Sequence, residues 1–424
     1  VDPLAVEPIG GPLGARTVVV PGSKSITNRA LVCAALAHGT STLTNALDAD
    51  DTAAMIGCLR ALGIEVITDW DSHIVQVEGC EGIVPGANAT LDCRLSGTTS
   101  RFVLPLAALG SGRTVVDGLP PLRARPMKPT LDALRSQSVT IESLGEPDHL
   151  PVAVHGPMSG WGVIDVPSDA SSQFLSGLLM AGATCGDLIV RVEGDVVSRP
   201  YVAMTLAVMN AFGQDERLEA TAWGFDGRRY LARELEVEPD ASAASYFFAA
   251  AALLGGSVTI HGLGSSALQG DVAFVDVLAR MGAEVEQTET STTVTGTGVL
   301  HGGTFDFTHI SDTAQTLAAI APFADSPVSL TGIGFIRGKE TDRIKAVVTE
   351  LQRLGIQAKE KVDGLVVHPG TPQPGVVQTY DDHRMAMAFA VLGLRTPGVE
   401  IADPGCVAKT FPGFWDVLDG LRDT

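Results

Sequence analysis

The sequence predicts an α/β protein of two domains, an inside-out α/β barrel arrangement in which apolar helices form the buried layer and the sheets lie outside them. Three observations predict it. Six times along the chain a polar knot rich in Ser, Thr, Asp, Asn or His runs into a nearly all-apolar helix. The knots SITNR, GTTSR, ASSQ, DASAAS, SDTAQ and DDHR meet their helices at Arg29, Arg101, Gln173, Ser245, Gln315 and Arg384, in steps of 72, 72, 72, 70 and 69 residues. A fixed period of this kind marks one supersecondary unit repeated along the chain. Finally, the chain has 424 residues, and single cores stop growing near roughly 250–300 residues.

Each unit reads the same way. The junction helices ALVCAALAHG, FVLPLAALG, FLSGLLMAG, YFFAAAALLG, TLAAIAPFA and MAMAFAVLG are apolar on all sides, which predicts full burial. β-branched strands follow: STLTNA, RTVVDG, DLIVRVEG, SVTIHG, SPVSLTG and GVEIAD. Amphipathic helices come next, with C-cap glycines predicted at Gly63, Gly213, Gly282 and Gly355. Short alternating strands such as HIVQVEG at 73–79 lead to the next knot. The sixth unit is truncated, running only from Arg384 to Thr424, and residues 1–28 supply the missing part. The repeat is therefore circularly permuted. Three units per domain give one domain over 21–238 and a discontinuous one from 1–20 and 239–424, closed by both termini. Pro21 and Pro239 stand at the crossings, and a cleft between the domains is the expected ligand site.

Composition narrows the function classes. At 45% hydrophobic and 18% charged residues the chain reads as globular. The apolar helices span about ten residues, too few for a bilayer, which needs about 20. No secretory leader opens the sequence, so a cytoplasmic protein with no membrane partner is expected. The six cysteines show neither C-x-x-C pairing nor metal-ligand spacing with the nine histidines, and are expected to be reduced. A net charge of −20 argues against nucleic acid. It also makes cations inside the knots conspicuous, because helix N-termini already favour anions.

Those cations sit in specific motifs. PGSKSITNRAL (21–31) places Lys24, Ser25 and Arg29 at a helix entrance, a cradle suited to phosphate or carboxylate. It is not a P-loop, because Ser23 stands where that motif needs glycine. ASSQFL (170–175) offers Ser171, Ser172 and Gln173 as uncharged hydrogen-bonders. KETDRI (339–344) sets Lys339 and Arg343 among Glu340 and Asp342, and on its own reads as a solvated helix start. In TYDDHRMAM (379–387), Arg384 enters an apolar helix, where a bare cation is costly unless it meets an anion. Lys409 stands in AKTFPGF (408–414) after a strand, and Asp312 opens the fifth helix, where capping is the ordinary role.

Taken together these motifs resemble the 5-enolpyruvylshikimate-3-phosphate synthase family. PGSKSITNRAL, the Arg125-Pro126 pair, SSQFL, VSRPY, KETDR, DHRMAM and AKTFP occur in the family's order, from about Pro21 to Phe414. The resemblance implies two domains of three βαβαββ units each, closing over two small anionic substrates. It implies that Lys24, Ser25, Arg29, Ser171, Ser172, Gln173 and Ser198 hold shikimate 3-phosphate, with Asp312 and Lys339 at its 5-hydroxyl. Lys24, Gly97, Arg125, Gln173, Arg343, Arg384 and Lys409 would meet phosphoenolpyruvate. The 5-hydroxyl would attack C2 while C3 is protonated, giving a tetrahedral ketal that expels phosphate. Asp312 would serve as base, Glu340 as acid, and Lys24 would steady the developing charge. No metal or organic cofactor is required, and the family is commonly monomeric.

Three positions depart from the family pattern. Leu95 replaces a usual asparagine, Phe102 follows Arg101 where proline is common, and Phe335 stands where an asparagine often contacts the shikimate ring. Gly97 itself remains, which leaves room for a phosphonate inhibitor such as glyphosate. Two other readings compete. The UDP-N-acetylglucosamine enolpyruvyl transferases share fold and chemistry but carry a cysteine five residues before the Arg of an ARP tripeptide, where this chain has Pro120. A non-catalytic anion-binding protein on the same scaffold would not need Asp312 and Glu340 beside the cations.

Overall fold

The computed structural model describes residues 2–86, 88–158, 162–167, 171–186, 188–194, 198–219, 221–225 and 227–422. The chain divides into two compact units, a continuous one over Gly22–Val237 and a discontinuous one made of Val1–Pro21 with Glu238–Thr424. Each carries three sheets and its own core of buried apolar residues.

One pattern generates the sheets. Strands Thr90–Asp92 and Gly112–Asp117 run parallel and are joined through the helix Gly97–Leu109. The hairpin Thr140–Ser143 with Val152–Gly156 then adds antiparallel, with Val152–Gly156 beside Gly112–Asp117. The same order recurs around the helices Ser172–Gly182 and Ala314–Ile320. Two strands are exchanged where the chain passes between units. Ala15–Thr17 precedes the first junction helix yet pairs in parallel with Gly256–His261, while Glu234–Glu236 precedes the fourth and pairs with Thr40–Thr44. The last sheet has three strands, and the N-terminal Leu4–Ala5 pairs antiparallel with Val399–Ile401 where other sheets have a hairpin.

The junction helices are the buried layer, as their uniform apolarity predicts. In the continuous unit Lys24–Leu36, Gly97–Leu109 and Ser172–Gly182 pack against one another. In the other unit Ala241–Leu254, Ala314–Ile320 and His383–Gly393 do the same. Five of these helices are capped at or just before their knots: Ser23, Ser96, Ser171, Asp240 and Asp382 each accept a backbone N–H of the first turn, so SITNR and GTTSR already lie inside their helices. The amphipathic helices Asp50–Ala61, Arg199–Ala211, Phe274–Arg280 and Arg343–Arg353 follow, and Gly63, Gly213, Gly282 and Gly355 all take the left-handed conformation predicted for them. Among the described residues no helix is long and apolar enough to cross a membrane. Among the described residues the six cysteines form no disulfide, and burial pushes the Cys33 thiol up to about 12.

Close approach of two junction helices depends on Gly177, where an added Cβ would lie 2.4 Å from the Arg101 carbonyl oxygen. Gly177→Ala should therefore cost about 1–3 kcal/mol through overpacking. Gly57, on the exposed side of Asp50–Ala61, has nothing within 4 Å of such a Cβ, and Gly57→Ala should stabilise by about 0.5–1 kcal/mol. Urea denaturation midpoints should move in opposite directions for the two variants.

Candidate active site

In the continuous unit most of the candidate side chains stand at four helix entrances. Lys24 opens the first junction helix, and its ammonium lies 3.3 Å from the Asp51 carboxylate, which the second helix supplies. Arg29, one turn in, is almost fully buried. Its partners are neutral oxygens: Thr205 Oγ1 at 2.7 Å, the Ser25 carbonyl at 2.9 Å, Ser176 Oγ at 3.3 Å and the Tyr201 carbonyl at 3.4 Å. Phe102 packs under the guanidinium, 5.3 Å from ring centroid to Arg29 Cζ. Burial pulls the Arg29 pKa down to about 10, which leaves it charged at neutral pH.

Gly97 begins the Gly97–Leu109 helix with its Cα close to two guanidinium groups. A Cβ there would lie 3.0 Å from Arg125 Nη1 and 3.7 Å from Arg101 Nη1, so glycine gives Arg125 its room. Arg101 donates to Gln173 Oε1 at 2.5 Å and stacks on Phe174 at 4.5 Å, while Gln173 Nε2 donates to Thr98 Oγ1 at 3.1 Å. Arg101 thus orients Gln173. Ser171 caps its helix, Ser172 is buried beside it, and Ser198 holds a left-handed backbone (φ 56°) at the cap of Arg199–Ala211. Ala170 and Val197, which begin the ASSQFL and VSRPY motifs, lie outside the described residues.

The discontinuous unit gathers its charges more tightly. Arg343, at the first turn of Arg343–Arg353, is buried and meets three carboxylates. Nε donates to Asp382 Oδ2 at 2.7 Å, Nη2 to Glu340 Oε2 at 2.7 Å, and Nη1 to Asp312 Oδ1 at 3.3 Å. Burial alone would pull this guanidinium down, but Asp382, Glu340 and Asp312 outweigh it and push its pKa up. Arg384 donates to the other Asp312 oxygen at 2.8 Å and to the Asp312 carbonyl at 3.0 Å. Lys409, ending the short helical turn Pro404–Lys409, sits 3.2 Å from Glu340 Oε1. Lys339 precedes this cluster in sequence, at the end of the turn Gly334–Gly338, and is partly buried.

Two sequence expectations change here. KETDRI is not a solvated helix start: the helix begins only at Arg343, capped by Asp342, and the Arg343 guanidinium is inside. Asp312 does not cap the fifth helix. It lies in a short turn, Ser311–Thr313, and its carboxylate faces two arginines instead. Asp51, Arg101 and Asp382 were not on the sequence-derived list of site residues. Asp382 could have been found, because a cation at the mouth of an apolar helix demands a nearby carboxylate and Asp382 directly precedes the helix. Among the described residues no cluster of three or more His, Cys, Asp or Glu could hold a metal ion.

The family model described as EPSP synthase (3-phosphoshikimate 1-carboxyvinyltransferase) matches residues 11–418. The 3-phosphoshikimate 1-carboxyvinyltransferase of Nostoc punctiforme is 45% identical over 421 residues, covering 98% of each chain, and that of Ralstonia pickettii is 41% identical over 96% of each. Among solved structures, EPSP synthase from Acinetobacter baumannii superposes with a TM-score of 0.83 at 26% identity, covering 99% of this chain and 98% of that one. The enolpyruvyl transferase NikO from Streptomyces tendae superposes with a TM-score of 0.76 at 20% identity, covering 99% and 97%, a likeness of fold alone. Fold and buried cation clusters therefore define an α/β protein of the enolpyruvyl transferase architecture. Within that class, the chain belongs to the EPSP synthase family.

Asp382 does two jobs, neutralising Arg343 and capping the Arg384 N–H at 2.9 Å. Asp382→Ala should lower stability by about 3 kcal/mol, because it strands a buried guanidinium, and urea denaturation will measure it. A loss under about 1 kcal/mol would mean that Glu340 and Asp312 suffice.

Proposed function

We propose that the two clusters are the working halves of a 3-phosphoshikimate 1-carboxyvinyltransferase. The enzyme transfers the enolpyruvyl group of phosphoenolpyruvate to the 5-hydroxyl of shikimate 3-phosphate and releases inorganic phosphate, in the shikimate pathway. In this reading Lys24, Ser25, Arg29, Ser171, Ser172, Gln173 and Ser198 grip shikimate 3-phosphate. Gly97, Arg125 and Gln173 from one unit, with Arg343, Arg384 and Lys409 from the other, meet the phosphate and carboxylate of phosphoenolpyruvate. We also take the chain to work as a cytoplasmic monomer, on small molecules and not on nucleic acid or membranes.

The observation that supports this most is the sharing of Arg343. One buried guanidinium holds the two candidate proton-transfer groups on different nitrogens, and each carboxylate has a second cation of its own, Arg384 for Asp312 and Lys409 for Glu340. Two carboxyls whose surroundings differ can divide acid and base work. Asp312, with Lys339, takes the proton of the 5-hydroxyl as oxygen attacks C2, while Glu340 delivers a proton to C3. The tetrahedral ketal phosphate then collapses. The Glu340 carboxylate takes a proton back from C3, the C–O bond to phosphate breaks, and phosphate departs with that bonding pair. Both reactants are multiply anionic, so the cations, Lys24 among them, supply the main electrostatic stabilisation.

Phosphate release from phosphoenolpyruvate tests this directly. Turnover should require shikimate 3-phosphate and should not occur with UDP-N-acetylglucosamine, whose acceptance would favour the related transferase. Asp312→Ala should lower kcat by about 10²- to 10⁴-fold, the usual share of a general base, while circular dichroism stays that of the folded protein.

A further inference from the structure

Two consecutive residues just before Asp382 hold a backbone that side chains rarely adopt. Tyr380 has φ 56° and Asp381 φ 55°, both left-handed and neither glycine. Aspartate tolerates that region, whereas a bulky aromatic does so only under constraint. The constraint is a carboxylate with no other evident task. Glu350 is fully buried, accepts the Tyr380 hydroxyl at 2.6 Å and the Gln378 backbone N–H at 3.0 Å, and is balanced by Arg353 at 2.9 Å. An apolar side chain would fill such a place at lower cost, since a buried charge needs every oxygen satisfied. Here the donors to Glu350 include two from the single segment that leads into Asp382 and Arg384.

Glu350 also lies seven residues after Arg343 on the same helix, Arg343–Arg353, two turns along one face. That helix fastens segment 378–382 at two points. Arg343 binds the Asp382 carboxylate at the segment's end, and Glu350 binds Gln378 and Tyr380 near its start. Between them, the Asp382 N–H donates to the Thr379 carbonyl at 2.9 Å. Asp382 then caps the helix that carries Arg384.

We infer that Glu350 is a positioning residue: through Tyr380 and Gln378 it holds the left-handed turn that delivers Asp382 to Arg343 and Arg384 to Asp312, and so sets the spacing of the cations that meet phosphoenolpyruvate. This rests on the assignment of Arg343 and Arg384 to phosphoenolpyruvate made above. Glu350 itself touches no reacting group. Its effect runs through the backbone of 378–382, which predicts a kinetic signature unlike that of simple destabilisation.

Steady-state kinetics on four proteins test it: wild type, Glu350→Gln, Tyr380→Phe and Tyr380→Gly. Tyr380→Phe removes one hydroxyl from a partly exposed ring, so it should fold even if Glu350→Gln does not. The KM for phosphoenolpyruvate should rise about tenfold, with the KM for shikimate 3-phosphate within about twofold of wild type. Tyr380→Gly also removes the hydroxyl but lets the backbone keep a positive φ at no steric cost, so it should recover much of that KM. Loss of kcat alone with both KM values unchanged, an equal rise in both, or no rescue by glycine would overturn the inference and leave Glu350 a core residue. Failure of the wild type itself to turn over the two substrates would strike the active-site assignment, and this inference with it.

Discussion

Keeping cations inside an apolar three-helix core is the constraint on which the rest of this structure depends. A buried guanidinium survives only if it is matched by carboxylates or by a full set of hydrogen-bond acceptors. The chain uses both solutions. Arg343 is matched by Asp382, Glu340 and Asp312, which hold its pKa up against burial. Arg29 is matched by neutral oxygens and an aromatic face, and its pKa falls to about 10. The first arrangement is a charge-balanced cluster. The second leaves a nearly uncompensated positive charge, a stronger attractor for an anion.

This difference bears on how the site works. Arg343, Arg384 and Lys409 are already occupied by Asp312 and Glu340. On the proposed assignment an incoming anion competes for those cations, and Glu340, the proposed acid, holds a proton more readily once Lys409 turns to the anion, whereas Asp312 must stay ionised to act as base. The helix entrances assist, because five of the six junction helices are capped at or just before their knots, which orients the first-turn groups.

Much of the fold was legible because the relevant signals are local or periodic. The 72-residue step located the six junction helices, and uniform apolarity identified them as the buried layer. Gly63, Gly213, Gly282 and Gly355 followed from helix-end chemistry. What escaped was pairing between distant segments. Nothing local says that Ala15–Thr17 pairs with Gly256–His261 rather than within the first repeat. At the site, residue types at helix entrances pointed to Lys24, Arg29 and Arg384, while motif order supplied Gly97, Arg125, Ser198 and Arg343. KETDRI was misread as solvated because i,i+4 spacing cannot report depth. Asp51 and Glu350 lie within ordinary amphipathic helices, and only the folded chain brings them to Lys24 and to the Tyr380 turn. Phe102 illustrates the opposite case: a departure from the family pattern that the structure explains, as the floor beneath Arg29.

Calorimetry of substrate binding in buffers of different ionisation enthalpy reads the coupling between anion and carboxylate without relying on turnover. If phosphoenolpyruvate draws Arg343 and Lys409 away from Glu340, the complex must absorb a proton near neutral pH, and a variant carrying both Asp312→Asn and Glu340→Gln must lose that uptake. Equal proton uptake by the double variant, or none by the wild type, would contradict the picture of carboxylates held in place by the very cations the substrates need.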